Sequence, residues 1–236
     1  MAEGDAHHSY RVFKSCNTLW VSFSHFATMT TGGSTMLFLG PFYNWINTTS
    51  LSRVNHFPLV RLIVFSLDKT ILYLLIFAAL RCLWLLLTKR RTTFGRELKL
   101  GIFVGYLMLL FALTVFRDVY YPWQLHFHWN RPLSVINIRP LVETLKLQHA
   151  ASHFDLWYQS LGNIAWFMPL GFGIPWVSKR RRRLAGTAMF GLLTSLSIET
   201  LQFLLISGVA DIDDVIFNVI GAIFGYSLYR LFHHRK

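Results

Sequence analysis

Apolar runs of bilayer-crossing length recur through the second two-thirds of the chain, and the charged residues between them fall in groups. A helix needs roughly 20 mainly apolar residues to cross the hydrocarbon core, with ~17 as a lower limit. Five segments meet that length: Ile71–Thr88, Leu100–Phe116, Leu161–Val177, Leu184–Ile206 and Val215–Phe232. The expected fold is therefore all-α, a polytopic transmembrane helical bundle of about five spans. Leu37 to Ile46 is too short to span, and the stretch after it sets Arg53 and Arg61 beside apolar residues, the pattern of an interfacial helix. If Leu37–Ile46 spans with help from Phe26–Thr31, the bundle has six spans, and the TTGGST run at residues 30–35 argues against that. The expected organisation is an N-terminal segment over residues 1–70, partly disordered and then interfacial, a transmembrane domain over 71–232, and a basic tail over 233–236. The first 35 residues add no span or motif, which fits translation starting at Met36; the intact mass of the native protein decides the point.

Charge sets the orientation. Lys89, Arg90, Arg91, Arg96 and Lys99 lie between the first and second spans, Lys179 to Arg183 between the third and fourth, and Arg235 and Lys236 after the fifth. The positive-inside rule makes these cytoplasmic and leaves the N-terminus outside. Residues 117–160 and 207–214 then face outward. The longer of these carries Tyr120, Tyr121, Pro122, Trp123 and Trp129, an aromatic set suited to the headgroup level, and is expected to form an outward-facing cap. Arg81, inside the first span, is expected to snorkel to the cytoplasmic headgroups.

Composition agrees with a membrane protein: 53% of the 236 residues are hydrophobic and 14% are charged, against about 25% charged in soluble domains. The net charge of +12 sits in short segments between apolar runs, so it reads as a topology signal and no nucleic-acid partner is expected. Lys179 to Arg183 suit anionic lipids. Two distant cysteines, Cys16 and Cys82, form no disulfide framework or metal quartet. His126 and His128 lack a third ligand at a defined spacing, so neither a metal nor a cofactor is expected.

The chemistry concentrates near the C-terminus. Ser195, Glu199 and Gln202 share one face of the fourth span, and Asp211, Asp214, Asn218, Gly221 and Gly225 share one face of the fifth. Ionisable groups within spans are costly and mark functional sites by default. The expected ligand-binding set is Asn163, Glu199, Gln202, Asp211, Asp213, Asp214 and Asn218, with Pro169, Gly171, Gly221 and Gly225 serving helix packing. Glu199 fits two roles, a proton carrier or cation ligand on one side and a hydrogen-bonded lock between helices on the other. Asp211 or Asp213 fits an N-cap of the fifth span, and a third acid beside them suits a cationic or amphiphilic ligand such as an envelope precursor. Ser195 and Ser197 lack a histidine or lysine base in their span, so nucleophilic catalysis has little support. Gly221-x-x-x-Gly225 and Gly101-x-x-x-Gly105 let helix backbones approach; the simplest assembly pairs spans four and five, and a homo-oligomer through either glycine pair is an alternative.

The order N-x-x-x-F-x-P-L-G (Asn163 to Gly171), a basic loop, S-x-x-x-E-x-x-Q (Ser195 to Gln202) and D-I-D-D-x-x-x-N-x-x-G-x-x-x-G (Asp211 to Gly225) resembles the VanZ family of small bacterial integral membrane proteins. Asn137 to Pro140 looks like that family's N-x-x-P element. Many relatives carry an arginine shortly before the aspartates, where this chain has Gly208-Val209-Ala210. The resemblance implies a multi-pass location in the bacterial plasma membrane and a cell-envelope role, with a link to resistance to glycopeptide antibiotics such as teicoplanin, and it implies no established reaction. A membrane enzyme acting on a lipid-linked envelope precursor and a small oligomeric transporter are the alternatives.

Overall fold

The computed structural model describes residues 36–48, 57–138, 140, 153–178 and 183–233. The expectations for residues 1–35, for most of the basic run from Lys179 and for the last three residues lie outside these. Among the described residues six helices follow in order: α1 (Gly40–Thr48), α2 (Phe57–Thr88), α3 (Phe94–Thr114), α4 (His153–Val177), α5 (Leu184–Leu205) and α6 (Ile212–His233). Short 3₁₀ turns at Pro122–Gln124 and Leu133–Val135 punctuate the segment after α3. Among the described residues the only extended pairing is an isolated bridge between Asn137 and Asp211.

The protein is an all-α helical membrane bundle. Among the described residues four stretches are long and apolar enough to cross a membrane: Pro58–Leu87 within α2, and α3, α5 and α6. The third predicted span lies in α4, which has 25 residues and is not one of these four. Asn163, the glycines, and Pro169 and Pro175 within the helix lower its hydropathy, and its place is among the other helices.

The chain divides between Asp68 and Lys69 into two units. In the first, the Asp68 carboxylate accepts the backbone N–H groups of Leu37 at 2.9 Å, Phe38 at 2.7 Å and Leu39 at 2.6 Å. A chain entering a helix leaves such donors without intrahelical partners, and negative charge is favoured there. Helix α2 begins at Phe57, well before the predicted Ile71. Pro58 suits a first helical turn because its missing N–H would be unused there. The stretch read as one interfacial helix therefore contains a short α1 and the opening turns of α2.

In the second unit α4 packs most extensively against α6, and also meets α3 and α5, while α5 packs on α6. Leu110, Val115, Phe167, Leu170, Ile174 and Ile198 form its buried core. Glycine explains the closeness of α4 and α6. A methyl group on Gly171 would overlap the Ala222 carbonyl, one on Gly221 the Ile164 carbonyl, and one on Gly225 the Met168 carbonyl. Small residues at helix crossings let backbones approach in this way. The expected pairing of spans four and five is thus only part of the arrangement: Gly221 and Gly225 face α4, and α5 meets α6 beside them, with Gly191 against Ala222. Within one chain, then, the face carrying Gly221 and Gly225 is filled by α4.

Helices α2 and α3 form a hairpin tied at both ends. At one end Arg81 Nε and Nη2 donate to the Glu97 carboxylate at 2.8 and 2.9 Å. Arg81 therefore has a partner across the hairpin as well as the Trp84 ring, 4.7 Å from its guanidinium. At the other end the Lys69 ammonium donates to the carbonyls of Phe116 and Val119, and the Tyr73 hydroxyl donates to the Tyr120 carbonyl at 2.8 Å. Leu80, Leu83, Leu86 and Leu87 on α2 are exposed, as suits a surface whose solvent is hydrocarbon.

Candidate functional site

The acids and amides meet where the last turn of α5, the first turns of α6, the α4 stretch around Asn163, and Asn137 converge. Helix α5 ends with Ile206 at φ 56°, in the left-handed region. That conformation is strained for a β-branched residue, and it turns the chain within a few residues toward α6. Gly208 sits in this turn against Gln202: a methyl group there would lie 3.0 Å from the Gln202 Cδ. A side chain at 208 would compete with Gln202 for this space.

Asp211 precedes α6 and accepts the Asp213 N–H at 2.8 Å, the bond by which an N-cap satisfies a free donor of the first turn. Its other oxygen accepts Asn137 Nδ2 at 2.9 Å. Backbone bonds from Asn137 N–H to the Ala210 carbonyl and from Ile212 N–H to the Asn137 carbonyl, both 3.0 Å, align the two segments. Asn137 is thus the residue the sequence reading left out of the site. Its signal was the N-x-x-P element, and periodicity gave none because Asn137 belongs to no helix.

Glu199 Oε2 accepts the Asp211 backbone N–H at 3.0 Å, so the α5 carboxylate reaches the residue that caps α6. Asn163 Nδ2 donates to Asp214 Oδ1 at 2.6 Å, joining α4 to α6. Asn218 Nδ2 donates to Ser195 Oγ at 2.9 Å, joining α6 to α5. Gln202 Nε2 donates to the Thr114 carbonyl at 3.1 Å, at the end of α3. Glu199, Gln202, Asp213 and Asn218 are buried, and Asn163, Asp211 and Asp214 are half-buried. All seven predicted site residues thus fall at one end of the bundle, and Asn163, Glu199, Gln202, Asp211, Asp214 and Asn218 link different elements.

The segment before α4 covers the same end. His128 N–H donates to the Leu204 carbonyl at 2.8 Å, and Arg131 Nη1 donates to the Phe203 carbonyl at 2.8 Å with its guanidinium 5.0 Å from the Phe203 ring. A cation thereby stands at the C-terminal turn of α5, where carbonyls lack partners and the helix dipole favours positive charge. Pro169 lies apart from these residues on an exposed side of α4, in the wall of a crevice with Phe103, Tyr106 and Trp176. Gly171 and the Met168 carbonyl make the α6 contact at that level. Among the described residues no group of three or more His, Cys, Asp or Glu is arranged to hold a metal ion.

A family model described as VanZ/LLP1 matches residues 103–233. The chain belongs to the VanZ/LLP1 family. The matched stretch includes Asn137 and every acid and amide of this site, whereas α1 and α2 lie before it. Within this VanZ protein the family motifs correspond to linked structural parts: Asn137 pairs with Asp211, Asn163 with Asp214, and Ser195 with Asn218. No curated protein and no solved structure matches the chain.

Proposed function

We propose that this VanZ-family protein acts in the bacterial plasma membrane, with its N-terminus outside and its C-terminus in the cytoplasm, and holds an amphiphilic or cationic envelope molecule at the acid-bearing end of α4, α5 and α6. By occupying or presenting that molecule it alters the envelope and the sensitivity of the cell to envelope-active compounds of the glycopeptide type. The observation that carries the reading is the convergence of Glu199, Asp211 and Asp214 through bonds that cross from one element to another. Carboxylates within an apolar bundle are costly and are retained where they act on a ligand, a proton or a partner. The basic residues from Lys89 to Lys99 and from Lys179 to Arg183 support the orientation through the positive-inside rule, and the second group suits anionic lipids. In this reading α4 is the third of five spans.

The bonds select the test. Glu199 Oε2 and Asp214 Oδ1 act as acceptors, and an amide retains an acceptor oxygen while losing the charge. Glu199→Gln and Asp214→Asn therefore keep the links and remove the acid. A deletion strain is complemented with wild type and each variant, membrane levels are checked by blot, and sensitivity to glycopeptides and to envelope stress is measured. Normal accumulation with lost complementation is the expected result. Full complementation by both variants assigns the acids to helix locking and removes the ligand site.

A further inference from the structure

The second unit has a cavity of about 390 Å³ between α2 and α3, apart from the acid-bearing residues. It lies at the Lys69 end of the hairpin, between the two helices and the chain that follows α3. The Tyr73–Tyr120 hydrogen bond and the turn at Pro122 bound it on one side. Its walls include Thr70, Leu107, Met108, Phe111 and Phe116. Two polar groups in the wall, the Lys69 ammonium and the Tyr73 hydroxyl, are directed to backbone carbonyls, so the surface presented to an occupant is mainly aliphatic and aromatic.

Three properties identify the occupant. An apolar cavity does not hold water well, because water there lacks the polar partners it needs. The helices on both sides are long and apolar with exposed leucines, so the medium around them is lipid hydrocarbon. At the Pro122 end, Tyr120 and Tyr121 lie 4.8 Å apart and Tyr121 stacks on Trp123 at 4.5 Å, and amphipathic rings of this kind sit at the headgroup level. We propose that the α2–α3 cavity takes one acyl chain of a membrane phospholipid, which enters from the bilayer and leaves its headgroup beside the Tyr121–Trp123 stack. The volume holds about a dozen water-sized groups, which matches most of one chain, and it falls within the range of roughly 300–1,000 Å³ usual for small-molecule sites. This inference rests on the cavity alone, so it stands or falls separately from the role of Glu199 and Asp214.

The test uses the full chain in nanodiscs containing a trace of phospholipid with a diazirine in the middle of one acyl chain. After irradiation, adducts are mapped by mass spectrometry. Adducts concentrated on the Leu107–Phe116 stretch, several-fold above those on Leu86 and Leu87, are expected. Met108→Trp, which fills the cavity from α3, and Thr70→Leu, which fills it from α2, are each expected to remove that excess while leaving the Leu86 and Leu87 adducts unchanged. Those exposed positions also report that each variant remains folded in the bilayer. Equal labelling of wall and exposed positions, or wall labelling unaffected by both variants, overturns the proposal. So does displacement of the label by a polyprenyl phosphate at a lower mole fraction than by phospholipid, which assigns the cavity to an isoprenoid chain, or crosslinks from the wall to a second copy.

Discussion

The α4–α6 and α2–α3 pairs solve the same problem in opposite ways. Helices α4 and α6 meet along their length because Gly171, Gly221 and Gly225 put backbone against backbone. Helices α2 and α3 are held by polar ties at two ends, with a cavity between them. In hydrocarbon the solvent is as apolar as leucine, so an apolar face gains little by leaving it. Close van der Waals contact or a hydrogen bond must supply the attraction. The first pair depends on shape and the second on polar contacts, and each has its own point of failure.

The tight pair breaks most easily at Gly225. A side chain there meets the Met168 carbonyl and the Phe172 N–H nitrogen, both backbone atoms inside a helix that cannot turn aside as a rotamer does. Gly225→Val is expected to exceed the usual overpacking penalty of about 1–3 kcal/mol. Its measured consequence is loss of membrane accumulation, or a large fall in the detergent unfolding midpoint. Normal accumulation with an unchanged midpoint would show that α4 and α6 are farther apart than described here.

The open pair breaks at Lys69. This side chain is 2% exposed and supplies N–H donors to two carbonyls in the chain following α3. Lys69→Met keeps the aliphatic stem and removes the donors. Leaving partly buried acceptors unmatched costs up to about 1–3 kcal/mol, so a clear but smaller drop in unfolding midpoint is expected than for Gly225→Val. An effect as large as that of Gly225→Val would mean that the polar tie, not the glycine interface, dominates the stability of the bundle.

These two cases also show what a sequence exposes. Span positions for α3, α5 and α6 were legible because apolar length is a local property, and the glycine spacing of α6 was legible because i and i+4 share a face. Which helix that face would meet was not legible: periodicity marks Gly221 and Gly225 as small without naming α4. The sequence likewise placed the start of the first span at Ile71, after Asp68 and Lys69, since charges interrupt hydropathy. Both residues lie within α2 because each finds backbone partners, N–H groups for Asp68 and carbonyls for Lys69. Backbone partners have no signature in a side-chain pattern, and this also hid Asn137, whose main chain aligns the turn before α6. The grouping of Asn163, Glu199, Gln202 and the aspartates at one end was legible from helical faces and spacing, whereas their individual pairings required the fold.

The second tie of the α2–α3 hairpin is weaker. Arg81 and Glu97 make a two-point contact, but their side chains retain 24% and 21% exposure, and Thr92 also donates to Glu97 at 2.8 Å. Partly exposed ion pairs contribute about 0.2–1 kcal/mol in double-mutant cycles. A cycle built from Arg81→Met and Glu97→Gln is expected to give a coupling within that range, below the loss for Lys69→Met. A larger coupling would shift the main attachment of α2 to the Arg81 end.

The smallest effect is expected at Gly101, and it sharpens the contrast because the sequence alone cannot tell Gly101 from Gly225. Both begin or end a small-xxx-small spacing, yet a methyl group on Gly101 meets nothing within 4 Å. With no neighbour to displace, Gly101→Ala changes only the intrinsic preference of α3 for a helix, which favours alanine by up to about 1 kcal/mol. The unfolding midpoint is expected to stay level or rise slightly, with membrane accumulation unchanged. If Gly101→Ala instead destabilises the protein, the open face of α3 is covered by a further helix, and crosslinking through a cysteine at position 101 would identify whether a second copy supplies it.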